Sequence, residues 1–194
     1  MHAIRNKRVL EVGCSNGSAA VKYAQRSSHY LGIDISDVAI EIAKERNIPN
    51  AEFVCTDGHH LPADDQTYDF VIVNSLLHHL DLQQAFSEIN RVLVPGGLIF
   101  REPLGTNPLF QLYRFLTPSA RTSDEKPFDF SDLKLMRSYF ELNDLNFYGF
   151  LNLLSAFVRN KRLRSILTFV DRVLARTPLK HFYWQCAGIA KKLN

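Results

Sequence analysis

Over the first hundred residues, short unbroken apolar runs alternate with stretches that carry apolar residues at helical spacing. Residues 7–12, 30–34, 52–56, 70–74 and 98–101 read as strands. Residues 18–26, a segment capped by Ser36 and running to about Glu45, and a segment starting at Asp81 and stopping at Pro95-Gly96-Gly97 read as helices. Continuous apolar strands fit a parallel sheet covered on both faces, and successive strand–helix units imply a doubly wound α/β sheet. After Glu102 the rhythm breaks. Residues 103–130 contain Gly105, Pro108, Pro118 and Pro127 and one helical stretch, 109–116. They leave the end of a central strand, where open α/β sheets form their ligand crevice, so a substrate cap is expected there. A helix over 131–140 and strands over 147–153 and 182–190, flanking a helix over 162–176, complete the pattern. The expectation is one domain over residues 1–194 with a mostly parallel seven-stranded sheet, and 147–194 as its C-terminal part.

At 46% hydrophobic and 22% charged residues, a disordered chain is excluded. Cys14, Cys55 and Cys186 are widely spaced and form no CxxC pair, which argues against a zinc site or an iron–sulfur cluster and for a reduced, cytoplasmic setting with no metal. The start of the chain lacks the apolar core of a signal peptide, and the longest greasy stretch, 147–158, is too short to span a bilayer. The net charge of +3 is unevenly spread: residues 151–194 hold nine Lys/Arg and one acid, giving +8, and the remainder carries −5. In that basic segment Leu163, Ile166, Leu167, Val170, Val173 and Leu174 recur at helical spacing, opposite Arg162, Arg164, Arg172 and Arg176. Such a helix either packs its apolar side on the sheet or makes weak peripheral contact with anionic lipid through 162–176. No nucleic-acid module is present, so sequence-specific nucleic-acid binding is not expected. The oligomeric state stays open, a homodimer included.

The stretch VLEVGCSNGS, residues 9–18, places an acid, Glu11, inside the first strand just before a glycine-bearing loop. A dinucleotide fingerprint would need glycine at 13, 15 and 18, and only Gly13 matches. The pattern ExGxGxG fits at Glu11, Gly13 and Gly17, with Ser15 as the departure. A strand-borne carboxylate repels a diphosphate and attracts an ammonium group. A nicotinamide-dependent oxidoreductase is therefore disfavoured.

Together with YLGIDIS, FVCTDGHHLP, YDFVIVNSLLHHL and RVLVPGGLIF, in that order, this stretch resembles the class I S-adenosylmethionine-dependent methyltransferases of the small-domain type, over roughly residues 9–101. The resemblance implies S-adenosylmethionine as cofactor, held by Glu11, Gly13, Cys14 (through its backbone), Ser15, Gly17, Asp34 at the ribose, Ile35 on the adenine face, Asp57 and Gly58 at the adenine edge, and Asn74. It implies methyl transfer to a small-molecule, lipid or sugar acceptor, at oxygen. Asn74-Ser75-Leu76-Leu77 lacks the Pro-Pro motif of nucleic-acid amino methylation. Candidate bases are Glu102, His79 and His78; Tyr113 and Arg121 in the cap are candidate acceptor contacts. Relatives carry one or two helices ahead of the first strand and this chain has few residues there. The cover must then come from a partner or the cap, unless the chain is trimmed, and an inactive cofactor-binding scaffold is the alternative reading.

Overall fold

The computed structural model describes residues 3–116, 126–149, 158 and 160–193. Strands β1 (Arg8–Val12), β2 (His29–Asp34), β3 (Ala51–Cys55), β4 (Tyr68–Asn74) and β5 (Leu93–Pro103) lie parallel in the order β3-β2-β1-β4-β5. Helices α1 (Ala20–Ala24), α2 (Asp37–Glu45) and α3 (Leu82–Val92) join β1 to β2, β2 to β3 and β4 to β5, and a helix-free connection joins β3 to β4. Beyond β5, α4 (Pro108–Leu116), α5 (Phe130–Met136), β6 (Phe140–Leu142), β7 (Asn146–Tyr148), α6 (Lys161–Leu174) and β8 (Gln185–Lys192) follow. β8 pairs antiparallel with β5, and its other edge is shared: β6 pairs with residues 190–192 and β7 with 185–187. The sheet thus has seven positions, the last filled by two short strands in succession.

Successive strand residues face opposite sides, which explains the unbroken apolar runs. Leu10, Val12, Leu31, Ile33, Val71 and Val73 pack on one side with Phe86 and Ile89 of α3 and Leu133 and Met136 of α5. Val9, Tyr30 and Ile72 pack on the other with Ala20 and Ala24 of α1 and Ile40 and Ala43 of α2. Ser36 caps α2 through the Ala39 N–H, and Asp81 caps α3 through the Gln84 N–H, as the sequence predicts.

Three boundaries differ from expectation. Pro95-Gly96-Gly97 lies within β5, where the β4–β5 register shifts between Tyr68 and Phe70. The stretch over 131–140 divides, because α5 stops at Met136 and buried Phe140 starts β6. Of the strand expected over 147–153, β7 covers 146–148, and 150–153 fall outside the described residues.

The register shift depends on Gly96, where an added Cβ would stand 1.9 Å from the Asp69 carbonyl oxygen. Asp69 also fixes the start of β1, accepting from Lys7 Nζ at 3.0 Å and the Arg8 N–H at 2.9 Å. Gly96→Ala must push β4 from β5 and is expected to lower the unfolding free energy by about 1–3 kcal/mol, the usual range for overpacking. Urea denaturation checks this; an unchanged midpoint would contradict the close approach.

Candidate active site

The loop after β1 turns sharply at Gly13 (φ 77°), Ser15 (φ 47°) and Gly17 (φ 70°). Ser15, the departure from the glycine pattern, therefore adopts a left-handed conformation that costs a side-chain-bearing residue roughly 1–2 kcal/mol. Asp34, at the end of β2, offsets this by accepting the Ser15 N–H at 2.8 Å and the Ser36 N–H at 3.0 Å. The Gly13 and Cys14 amides both donate to the Ile33 carbonyl, at 2.8 and 2.9 Å, so the loop is clasped to the β2 end. The Cys14 thiol is pushed up to about 12 by burial, then by Glu11 and Asp34, which leaves its backbone as the useful part.

Glu11 is buried, at 2% exposure. Its carboxylate accepts a short hydrogen bond from the Tyr30 hydroxyl on β2 and another from the Asn74 amide on β4 at 3.4 Å. The acid in the apolar strand thus bridges both neighbouring strands beneath the loop. Burial raises its pKa above the ordinary carboxylate value, and the bonds from Tyr30 and Asn74 only partly offset this. Tyr30 is the partner that sequence reading missed; the signal was a polar-tipped residue on the same sheet face as Glu11.

Asp57 follows β3. Its Oδ1 accepts from the His59 backbone N–H at 3.0 Å and lies 2.7 Å from His59 Nδ1. His59 Nε2 in turn accepts the Asp81 N–H at 2.9 Å, so the ring carries its proton on Nδ1. Burial pushes the Asp57 carboxyl up, but the bonds and charges of His59 and His60 outweigh it, and the net direction is down. A cavity of about 350 Å³ opens here. Asp34, Asp57 and His79 are its polar walls and Ile33, Leu76 and Leu80 its apolar ones; Gly13, Ile35 and Gly58 also line it. Ile35 is 77% exposed beside Asp34. Glu11, Cys14, Ser15, Gly17 and Asn74 are not among its lining residues.

The other candidates gather after β4. Ser75 takes a left-handed turn (φ 52°) with its N–H on the Arg101 carbonyl at 2.7 Å. That turns the Leu76 and Leu77 amides onto Glu102 Oε1, each at 2.9 Å, while Oε2 lies 2.8 Å from His78 Nδ1. Glu102 is completely enclosed, at 0% exposure. It therefore braces the 3₁₀ turn Leu77–His79 from inside. The His78 and His79 rings sit 4.2 Å apart and face different spaces. His79 lines the cavity beside Asp57. His78 lines a second one, of about 230 Å³, with Leu77, Leu82, Leu135, Lys126 and Asp132. Lys126 and Asp132 were not singled out in the sequence; the Lys126 N–H meets the His78 carbonyl at 3.1 Å. Arg121 and the Tyr113 side chain lie outside the described residues.

Glu11 gives a pH test of this geometry. Its folded pKa exceeds its ordinary value of 4.5. The associated stability is then complete below that value and lost as pH rises through the folded pKa. Glu11→Gln, which keeps the shape and an acceptor, should flatten this part of the Tm–pH curve. A wild-type Tm that rises with pH in that range, with no change in slope in the variant, would overturn the burial argument.

Residues 10–100 match the family model described as a methyltransferase domain. Over 96 residues the chain is 36% identical to phthiotriol/phenolphthiotriol dimycocerosates methyltransferase of Mycobacterium tuberculosis, covering 47% of this chain and 35% of that one. Over 98 residues it is 38% identical to a fatty-acid O-methyltransferase of Mycolicibacterium smegmatis, covering 48% and 36%. The chain thus spans only about a third of the length of either relative. An S-adenosylmethionine-dependent methyltransferase from Mesorhizobium loti shares the fold at 15% identity, with a TM-score of 0.74 over 99% of this chain and 94% of that one. With the glycine loop, the acidic strand ends and the strand order all in agreement, residues 10–100 form a methyltransferase domain of the class I S-adenosylmethionine-dependent type, and the rest of the chain shares that fold.

Proposed function

We propose that the protein methylates an oxygen of a small, lipid-like acceptor. One observation carries this reading: a histidine, His78, held at Nδ1 by an enclosed carboxylate and lining a cavity that sets Leu77, Leu80, Leu82 and Leu135 against Asp81, Gln83, Lys126 and Asp132, an amphiphilic wall. The relatives named for lipid and fatty-acid substrates support the acceptor class.

The residues beside the loop fit S-adenosylmethionine. The larger cavity falls in the size range of small-molecule sites, is mainly apolar, and has two carboxylates, Asp34 and Asp57, in its lining. Asp34 would accept from the ribose hydroxyls, Asp57 would receive the adenine amino group through its second oxygen, and Ile35 would cover the ring. Glu11, beneath the loop and next to Asn74, would favour the cationic amino-acid end by charge. When bound, the cofactor supplies a methyl group already activated on a sulfonium, so the protein's tasks are alignment, exclusion of water and removal of the acceptor proton.

His78 suits that last task. With its Nδ1 proton directed at Glu102, Nε2 is the free base, and the acceptor hydroxyl or carboxyl proton would pass to it as the oxygen bonds to carbon. Glu102 acts through His78 and does not touch the acceptor. The segment 103–130 would serve as the acceptor's cap. Its ends are tied down by the Leu104–Phe128 bridge and by Lys126, which walls the acceptor cavity.

Methyl-labelled S-adenosylmethionine supplied with long-chain hydroxy and carboxy lipids should give labelled product; no transfer to any of them would sink the lipid reading. Glu102→Gln would direct an amide N–H at Nδ1, reverse the tautomer and remove the base. The expected loss in kcat is about 10²–10⁴-fold, the usual contribution of general base catalysis, with cofactor affinity unchanged. A loss confined to KM would instead assign Glu102 to the fold alone. Asp34→Ala removes charge-assisted bonds of roughly 1.5–3 kcal/mol each, so calorimetry should show cofactor binding weakened more than tenfold.

A further inference from the structure

Helix α6 (Lys161–Leu174) covers only part of the side that its periodicity marks as apolar: Leu167, Val170 and Leu174 are half-buried, and Leu163, Ile166 and Val173 are exposed. Leu167, Asp171 and Leu174 turn inward, and the Tyr183 hydroxyl donates to the Asp171 backbone carbonyl. At about 100° per residue, Ile166, Phe169 and Val173 fall within one arc of about 60°, and all three are exposed, Phe169 at 64%. Leu163 is exposed at the same helix's first turn. Lys161, Arg172 and Arg176 border the stripe, each exposed, with Arg172 and Arg176 at the rim of a cavity shared with residues 145–148, and Arg162 projects from the stripe itself. The one acid of residues 151–194, Asp171, is buried, so the exposed surface of the helix carries no acid.

We propose that α6 lies on an anionic lipid surface, its apolar stripe among the acyl chains and its cations against the headgroups. The helix is amphipathic, has cations bordering its exposed apolar arc and carries no exposed acid, which is the pattern of an interfacial helix. Charge decides against a second copy of this chain as the occupant, because a symmetric contact would set two like-charged faces against each other. It decides against nucleic acid as well, since the phosphate backbone offers nothing to a row of Ile, Phe and Val. Among the described residues no helix is long and apolar enough to cross a membrane, so contact through α6 is peripheral. A second exposed apolar group lies on α4, where Phe115 is 80% exposed beside Leu112 and Leu116. The foot of α4 is linked to the turn after α6 by the Asn107 side chain, which donates to the Phe182 carbonyl. If the lipid-acceptor reading holds, and this inference rests on that reading only for its purpose, the docked helix keeps the enzyme where its substrate is dissolved.

The test is sedimentation of the full chain with vesicles of phosphatidylcholine alone and of phosphatidylcholine with a third phosphatidylglycerol. Binding is expected to the second kind only, to weaken at least fivefold as ionic strength is raised past the physiological range, and to fall at least tenfold in Phe169→Asp/Val173→Asp. Arg172→Glu/Arg176→Glu should lose it without disturbing the stripe. Circular dichroism confirms that these surface variants fold. Equal binding by wild type and both variants, or no binding to anionic vesicles, overturns the proposal. So does a dimer in sedimentation velocity that the Phe169→Asp/Val173→Asp change dissolves, or retention by single-stranded DNA but not by vesicles. Cofactor affinity, and turnover on a detergent-dispersed lipid acceptor, should match wild type in both variants. Failure of the function reading would instead show as absent turnover with vesicle binding intact.

Discussion

The loops above the carboxyl ends of the parallel strands must satisfy backbone N–H groups that the sheet no longer pairs, and this chain does so with carboxylates. Asp34 takes the amides of Ser15 and Ser36, Asp57 takes that of His59, and Glu102 takes those of Leu76 and Leu77. An amide left unpaired in such a place would cost about 1–3 kcal/mol. The same acids that keep the loops folded therefore set the chemistry of the rim. A ligand with hydroxyls and amino groups finds acceptors already fixed in place, and a phosphate finds repulsion. Cofactor choice and loop stability come from one constraint.

Glu102 and Glu11 show how burial separates two roles of one side chain. Glu102 is enclosed but fully engaged, with two amides on one oxygen and His78 on the other, so it acts as a fixed acceptor that orients a ring. Glu11 is as deeply set but has only a hydroxyl and an amide for partners, so its ionisation is held back by desolvation. A cation arriving above the loop would favour its charged form. The difference follows from position: Glu102 faces the start of a 3₁₀ turn with amides to offer, whereas Glu11 sits mid-sheet, where backbone amides are spent on the ladder.

The alternation of strands and helices through residue 101 was legible because the central strands are unbroken apolar runs and α2 and α3 start at side-chain caps. The acid at position 11, the aspartate ending β2 and the paired histidines were legible as well, because a polar residue in or just after an apolar run stands out. What sequence could not supply was the third dimension. It left the two histidines as equals, yet the turn from Ser75 directs His79 and His78 into separate cavities. It made Glu102 a candidate base, and only packing shows that no face of the carboxylate meets solvent. Pro95-Gly96-Gly97 read as a stop because its composition is that of a turn, whereas Gly96 serves as the point where two backbones nearly touch.

Helix α6 marks the limit of periodicity most clearly. Hydrophobic spacing says which side of a helix is apolar; it says nothing about whether the protein has a surface to put there. In α2 and α3 the apolar side meets the sheet, as Ile40 and Phe86 record by being fully buried. In α6 the side that meets the body of the protein is rotated toward Asp171, with Tyr183 holding the helix by its backbone carbonyl, and Ile166, Phe169 and Val173 are left outside. A polar anchor set on the apolar flank has this consequence in general: it fixes the helix about its axis, and whatever lies nearly half a turn away must find its partner elsewhere.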